Sequence, residues 1–218
     1  MRDRLGLRLR EHRPTILVEV SLVILLKLFA ALASVSFLLL GSLSLWLRRS
    51  GWRMIGMRKP GSWRRTVLAG AGAGAIYQLL SIGVLIPALE RLTDTKLDLG
   101  KFDSVRGNAG MLALWLLISW TLAAFGEEMA YRGYALNRIA DLLRNRPIGW
   151  ALGAILSSVL FGFGHSYQGT AGAFEAFVTG AVCSCLYLAS KRNLWLPIVF
   201  HGASNTFGLL LIYFDLYR

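Results

Sequence analysis

Cysteine and histidine are scarce in this chain of 218 residues, with two and three copies, and acids number twelve against twenty-four Lys and Arg. Cys183 and Cys185 stand two apart in an apolar run, so on a helix they point to different sides and cannot bond to each other. A disulfide scaffold is excluded, and both read as packing residues. His12 lies in a basic tail, which leaves His165 and His201 for chemistry. The apolar runs lack the period-2 alternation of membrane-barrel strands. There is also no internal repeat or paired broken helix of the kind on which transporters are built.

Apolar residues dominate instead: 55% of the chain is hydrophobic and the mean hydropathy is +0.52. That is too apolar for a soluble domain and predicts an all-α, polytopic transmembrane bundle. The net charge of +12 invites a nucleic-acid reading. The basic residues, however, fall in short segments flanking apolar runs: Arg2 to Arg13, Arg48 to Arg65, Arg138 to Arg146, and Lys191-Arg192. That pattern fits loops touching anionic membrane lipid and excludes nucleic acid as a partner.

Runs long enough to span lie at Thr15–Leu47, Thr66–Leu89, Ala109–Gly126, Pro147–Gly164, Ala171–Ser190 and Leu194–Tyr213. Six spans are expected, as helices, because a helix satisfies its own backbone in lipid. Segment 48–65 carries seven Lys/Arg and no acid, whereas Glu90 to Arg106 carries four of each sign. Positive-inside bias then alternates correctly across spans two to six. Trp46, Trp52, Trp63, Trp150 and Trp195 beside the basic loops fit an interfacial belt. The N-terminus breaks the alternation, since five arginines precede span one on its outer side. Either the first run, with Glu19 and Lys27 inside it, is a hairpin, or those arginines are tolerated outside. The run also resembles a signal peptide with an Ala31-Leu32-Ala33 step, but it continues unbroken to Trp46 and reads as a retained span.

Smaller signals add detail. Gly70-x-x-x-Gly74 gives span two a face for close helix packing. Asn145 is the expected N-cap ahead of Pro147. Pro197 is expected to kink span six one turn below His201.

Three motifs in the second half carry ionisable side chains where the neighbours read as membrane helix: Glu127-Glu128-x-x-x-Arg132, Phe161-x-x-x-His165 and His201-x-x-x-Asn205. A charge at the centre of a membrane helix costs roughly 2.5–3.5 kcal/mol on insertion scales, so such residues point to a purpose. Glu128 and Arg132 are i,i+4 and pair across one helix face, which leaves Glu127 as the base with Tyr131 at its own i+4 position. A carboxylate held among apolar neighbours is a stronger base than one in water. Two imidazoles, a carboxylate and the Asn205 amide make a water-activating set, with or without a metal.

These motifs, in this order on successive apolar helices, resemble the CPBP intramembrane proteases, also called the Abi or CAAX-prenyl-endopeptidase type. The resemblance covers about residues 109–213, as a catalytic transmembrane core after an N-terminal part, 1–108, of transmembrane segments and basic loop; the segment Gly51-Trp52-Arg53-Met54-Ile55-Gly56 is also similar. It implies an endopeptidase acting on peptide or membrane-protein substrates, in which Glu127 and His165 activate water, His201 and Asn205 stabilise the oxyanion, and Glu128 with Arg132 supports them. The family has been described as metalloproteases. Zinc on Glu127, His165 and His201, drawn from three helices rather than one His-Glu-x-x-His helix, and a metal-free glutamate mechanism both suit the residues. The rivals are a non-catalytic immunity or secretion-partner protein of the same fold, and an ion or solute transporter. A short six-span chain looks prokaryotic, in the inner membrane, where a prenyl group on the substrate is not expected. Asp215-Leu216-Tyr217-Arg218 shows no lipidation signal.

Depth sets one further expectation. If the third span runs as helix to Arg146, Glu127 and His165 lie level, about 28 Å either side of that turn. His201, about 11 Å beyond the 191–193 loop, would lie shallower unless the 137–146 stretch bends along the interface.

Overall fold

The computed structural model describes residues 6, 9, 12–29 and 33–217, and the side chains of 23, 24, 26–29 and 33–37 are outside that description. Arg2, Arg4, Arg8, Arg10, the Lys27 side chain and the Ala31-Leu32 step therefore lie outside it. The connections 48–62 and 94–108 carry short 3₁₀ segments, and the main described elements are helices. They are α1 (Arg13–Phe29), α2 (Ala33–Leu47), α5 (Pro147–Phe163), α6 (Gly169–Ala189) and α7 (Trp195–Tyr213), with α3 (Trp63–Thr93) and α4 (Ala109–Leu142) between them. Four helices, at Trp63–Thr93, Ala109–Leu142, Ser166–Ala189 and Trp195–Tyr213, are long and apolar enough to cross a membrane. The chain is an all-α integral membrane protein.

The expected first span is two helices. At 1.5 Å per residue, α1 and α2 are about 25 and 22 Å long, each short of the roughly 30 Å hydrocarbon core. They run antiparallel, since Ser44 near the end of α2 donates to Glu19 near the start of α1 and the Leu47 carbonyl abuts Gly6. The hairpin returns the chain to the side from which it entered. Arg13, at the start of α1, then shares the side of the basic 48–65 loop, as the charge rule requires. Glu19 also accepts from Tyr134 Oη at 2.6 Å and pairs with buried Arg138, which fastens the hairpin to α4.

Gly70 and Gly74 let α3 lie directly on α7. A Cβ on Gly70 would come within 2.8 Å of Val199, and one on Gly74 would strike the Phe200 carbonyl. Close backbone approach of this kind supplies packing energy where lipid gives no hydrophobic drive. Pro197 does not kink α7, because the helix begins at Trp195. A proline in the first turn lacks only an N–H that has no partner there. The helix start is instead held by Asn193, whose Oδ1 accepts from the Trp195 N–H at 3.0 Å. Asn145 is likewise not the cap of α5. Arg146 holds that position, and the Asn145 amide donates to Asp141 at 3.2 Å.

α4 ends at Leu142 rather than Arg146, and its 137–140 stretch is buried rather than laid along the interface. Arg138 bonds Asp141 at 3.0 Å and the Leu9 carbonyl at 3.0 Å, so the charges that marked this stretch as interfacial are satisfied inside. Wide i→i+5 turns carry α4 through Ser119–Glu127 and Met129–Leu136, a winding that recurs at functional sites.

The two ends of the bundle differ. At one, the Asp98 N–H donates to the Gln168 carbonyl and the Gly107 N–H to the Tyr213 carbonyl, both at 3.0 Å, and Arg106 pairs with Asp215 at 2.6 Å. At the other, the basic loops meet: Arg58 donates to the Lys191 carbonyl and accepts from Asn193 at 3.0 Å.

Gly74→Leu should destabilise the protein by about 1–3 kcal/mol through overpacking, read as a lowered unfolding midpoint in detergent. Single cysteines replacing His12 and Arg58 should react with an impermeant thiol reagent from the same side of the membrane, and one replacing Lys101 from the opposite side. Labelling of the first two from opposite sides would refute the hairpin.

Candidate functional site

The site begins with a charge that has no water to solvate it. Arg132 and Glu128 are both wholly buried, and one guanidinium nitrogen lies 2.9 Å from Glu128 Oε1. The other donates to the Gly180 carbonyl of α6 at 2.7 Å, and the guanidinium sits 4.9 Å from the Phe161 ring of α5. Gly180 must lack a side chain for this, since a Cβ there would lie 3.1 Å from Arg132. The i,i+4 pairing expected from spacing is present. What spacing did not reveal is the third partner: His201 Nδ1 of α7 lies 3.0 Å from the same Glu128 oxygen. A depth difference between His201 and the α4 glutamates is thereby closed at Glu128.

Glu127, one residue earlier at the junction of the two wide-turn segments, faces a different environment. It lines a cavity of about 670 Å³ together with His165, His201 and Asn205, and with Glu175 and Lys101. The structure thus brings the four sequence-predicted residues to one cavity wall, while Glu128 and Arg132 lie behind it.

The imidazoles are oriented by their own partners. His165 Nδ1 lies 2.9 Å from the Phe161 carbonyl. A carbonyl can only accept, so Nδ1 carries the proton and Nε2 is the basic nitrogen. The Phe161 ring is 4.5 Å from the His165 ring and 5.8 Å from the His201 ring. The Phe-x-x-x-His spacing therefore does two things: it sets the tautomer through the backbone and packs one ring beside both imidazoles. In His201, Nδ1–H donates to Glu128, so its Nε2 too is left for a ligand.

Zinc needs ligand atoms about 2.0–2.3 Å from one centre. Among the described residues, the three His, Cys, Asp or Glu side chains whose ligand atoms lie within 4.8 Å of one another are Glu128, Cys183 and His201, not Glu127, His165 and His201. That trio is a poor site for a divalent ion, because the Arg132 guanidinium, 2.9 Å from Glu128 Oε1, would face the ion at close range in a buried setting. Cys183 is thus more than general packing: its thiol lines the rear of the site, while Cys185 is exposed. The opposite facing of the two cysteines is as their spacing requires.

Sequence reasoning missed Glu175 and Gln78, which also line the cavity. Glu175 was visible as the one acid in 165–175, but nothing local tied it to the motifs.

Residues 109–207 match the model of the family described as Type II CAAX prenyl endopeptidase Rce1-like, and this stretch contains all six motif residues. A 24.3 kDa uncharacterized protein of Escherichia coli is 37% identical over 100 residues. That alignment covers 44% of this chain and 43% of the relative, so the match spans less than half the length of either. No solved structure matches the chain.

Arg132→Met should destabilise the protein by about 3–5 kcal/mol, because it strands the Glu128 charge. Combining it with Glu128→Leu should recover part of that loss in the same denaturation measurement. Additive losses would contradict the coupling.

Proposed function

We propose, from the premise that residues 109–207 carry an Rce1-like domain of the type II CAAX prenyl endopeptidase kind, that this chain is an intramembrane endopeptidase in which water is the nucleophile. The observation that carries the reading is a cavity within the helical bundle lined together by Glu127, His165, His201 and Asn205. In this reading Glu127 takes a proton from a water that His165 Nε2 helps to orient, and the resulting hydroxide attacks the scissile carbonyl carbon. The negative charge that gathers on the carbonyl oxygen is stabilised by the Asn205 amide and by His201, whose ring Glu128 holds in place. The C–N bond then breaks, and Glu127 returns its proton to the leaving amine. No covalent intermediate and no metal enters the sequence of steps.

The substrates are peptides or membrane proteins whose cleaved segment reaches the cavity from lipid or from the end of the bundle at Tyr167, Gln168 and Tyr217. That end is opposite the basic loops, and so by charge bias lies away from the cytoplasm of a prokaryotic inner membrane. Prenylated tails need not be the substrate.

Cleavage of a membrane-peptide library by the purified protein tests the reading. Glu127→Gln should lower the rate about 10²–10⁴-fold and Asn205→Ala about 10²–10³-fold, whereas a chelator should leave it unchanged. Loss of cleavage on chelation would restore the metalloprotease mechanism. Equal rates in wild type and Glu127→Gln, or no cleavage by either, would favour a non-catalytic protein of the same fold.

A further inference from the structure

Glu175 stands on α6 in the same cavity as the proposed catalytic residues, and the peptidase mechanism does not use it. Its Oε1 lies 3.1 Å from Tyr77 Oη, 3.0 Å from Ser81 Oγ and 3.0 Å from Thr179 Oγ1. Tyr77 and Thr179 also touch each other at 2.7 Å. Two hydroxyl protons thus serve three contacts, with the Ser81 proton a further donor, and the carboxylate is held by neutral groups from two helices. Ser81 is presented by the wide-turn segment Ser81–Leu85 of α3.

The contrast with the other acids is informative. Glu19 pairs with Arg138 and Glu128 with Arg132, as an apolar setting demands. Among the described residues no Lys, Arg or His lies within ion-pair distance of Glu175. Lys101, the lysine of the cavity wall, instead holds its ammonium over the Tyr167 ring at 4.8 Å and Trp115 at 5.5 Å. A carboxylate oriented by hydroxyls, facing open volume and lacking a cation from its own chain, is built to receive one from outside.

We propose that Glu175 is a recognition carboxylate: a subsite that takes a cationic group of the bound peptide, a lysine or arginine side chain or a free α-amine. The subsite deepens the peptidase reading, on which the word substrate depends, but the binding event needs no catalysis. Tyr77, Ser81 and Thr179 are its positioning residues, aiming one oxygen so that the other is presented to the cavity. Such a contact selects substrates with a basic residue beside the cleaved segment.

The test is equilibrium binding to the full-length protein in detergent, with two fluorescent Leu/Ala peptides that differ at one central position, lysine in one and norleucine in the other. Wild type should bind the lysine probe about tenfold or more tighter than the norleucine probe at low salt. Glu175→Gln keeps an oxygen for the three hydroxyls and removes the charge. It should bring the two affinities together by weakening the lysine probe alone, with an unchanged unfolding midpoint. Equal wild-type affinities, or an equal loss for both probes in Glu175→Gln, would overturn the proposal and leave Glu175 as a helix-to-helix tie. Because binding is read without turnover, a chain that cleaves nothing can still display the preference. Conversely, a chain that cleaves without the preference refutes the subsite and not the peptidase.

Discussion

A buried arginine needs partners, and in this protein Arg132 finds them on three helices. It belongs to α4, its carboxylate partner Glu128 lies one turn earlier, its second hydrogen bond goes to the Gly180 carbonyl of α6, and the Phe161 ring of α5 covers its face. Glu128 extends the network to α7 through His201. Breaking such a cluster strands a charge at a cost of several kcal/mol, so the helices that bear the functional side chains are held in one register. The glycines serve the same end: Gly180 makes room for the guanidinium, and Gly70 and Gly74 bring α3 against α7.

This network gives two adjacent glutamates opposite duties. Glu128 Oε1 accepts from both Arg132 and His201, which fixes the His201 ring. Glu127 remains on the cavity wall, where a carboxylate can exchange protons. The wide turns of α4 place both at one level of the bundle while letting one face inward and the other face the cavity. His165 is fixed by its own helix through the Phe161 carbonyl. The cavity wall thus offers basic nitrogen, carboxylate and amide groups.

Much of this was legible in the sequence because charge in an apolar run is costly and therefore conspicuous. Glu127, Glu128, Arg132, His165, His201 and Asn205 stand out on that ground, and the all-helical membrane class follows from the length of the runs. The hairpin of α1 and α2 was not settled, since Ala30, Ala31 and Leu32 between them offer no proline or glycine as a local sign of a turn; only the misplaced arginines hinted at it. Pro197 and Asn145 were misassigned although the expected starts, Pro147 and Leu194, fall within one residue of the observed ones, because helix ends are fixed by capping contacts such as Asn193 to Trp195 that spacing does not reveal. Glu175 escaped notice for a related reason. Its meaning depends on Tyr77 and Ser81, about a hundred residues earlier in the chain.

The most direct measurement is cleavage of a membrane peptide by the purified protein in ¹⁸O-enriched water, with the products read by mass spectrometry. Direct attack by water predicts one ¹⁸O atom in the newly formed carboxyl terminus after a single turnover, with no enzyme-bound acyl species trapped by hydroxylamine. A trapped acyl-enzyme, or the absence of any new carboxyl terminus, would contradict the account.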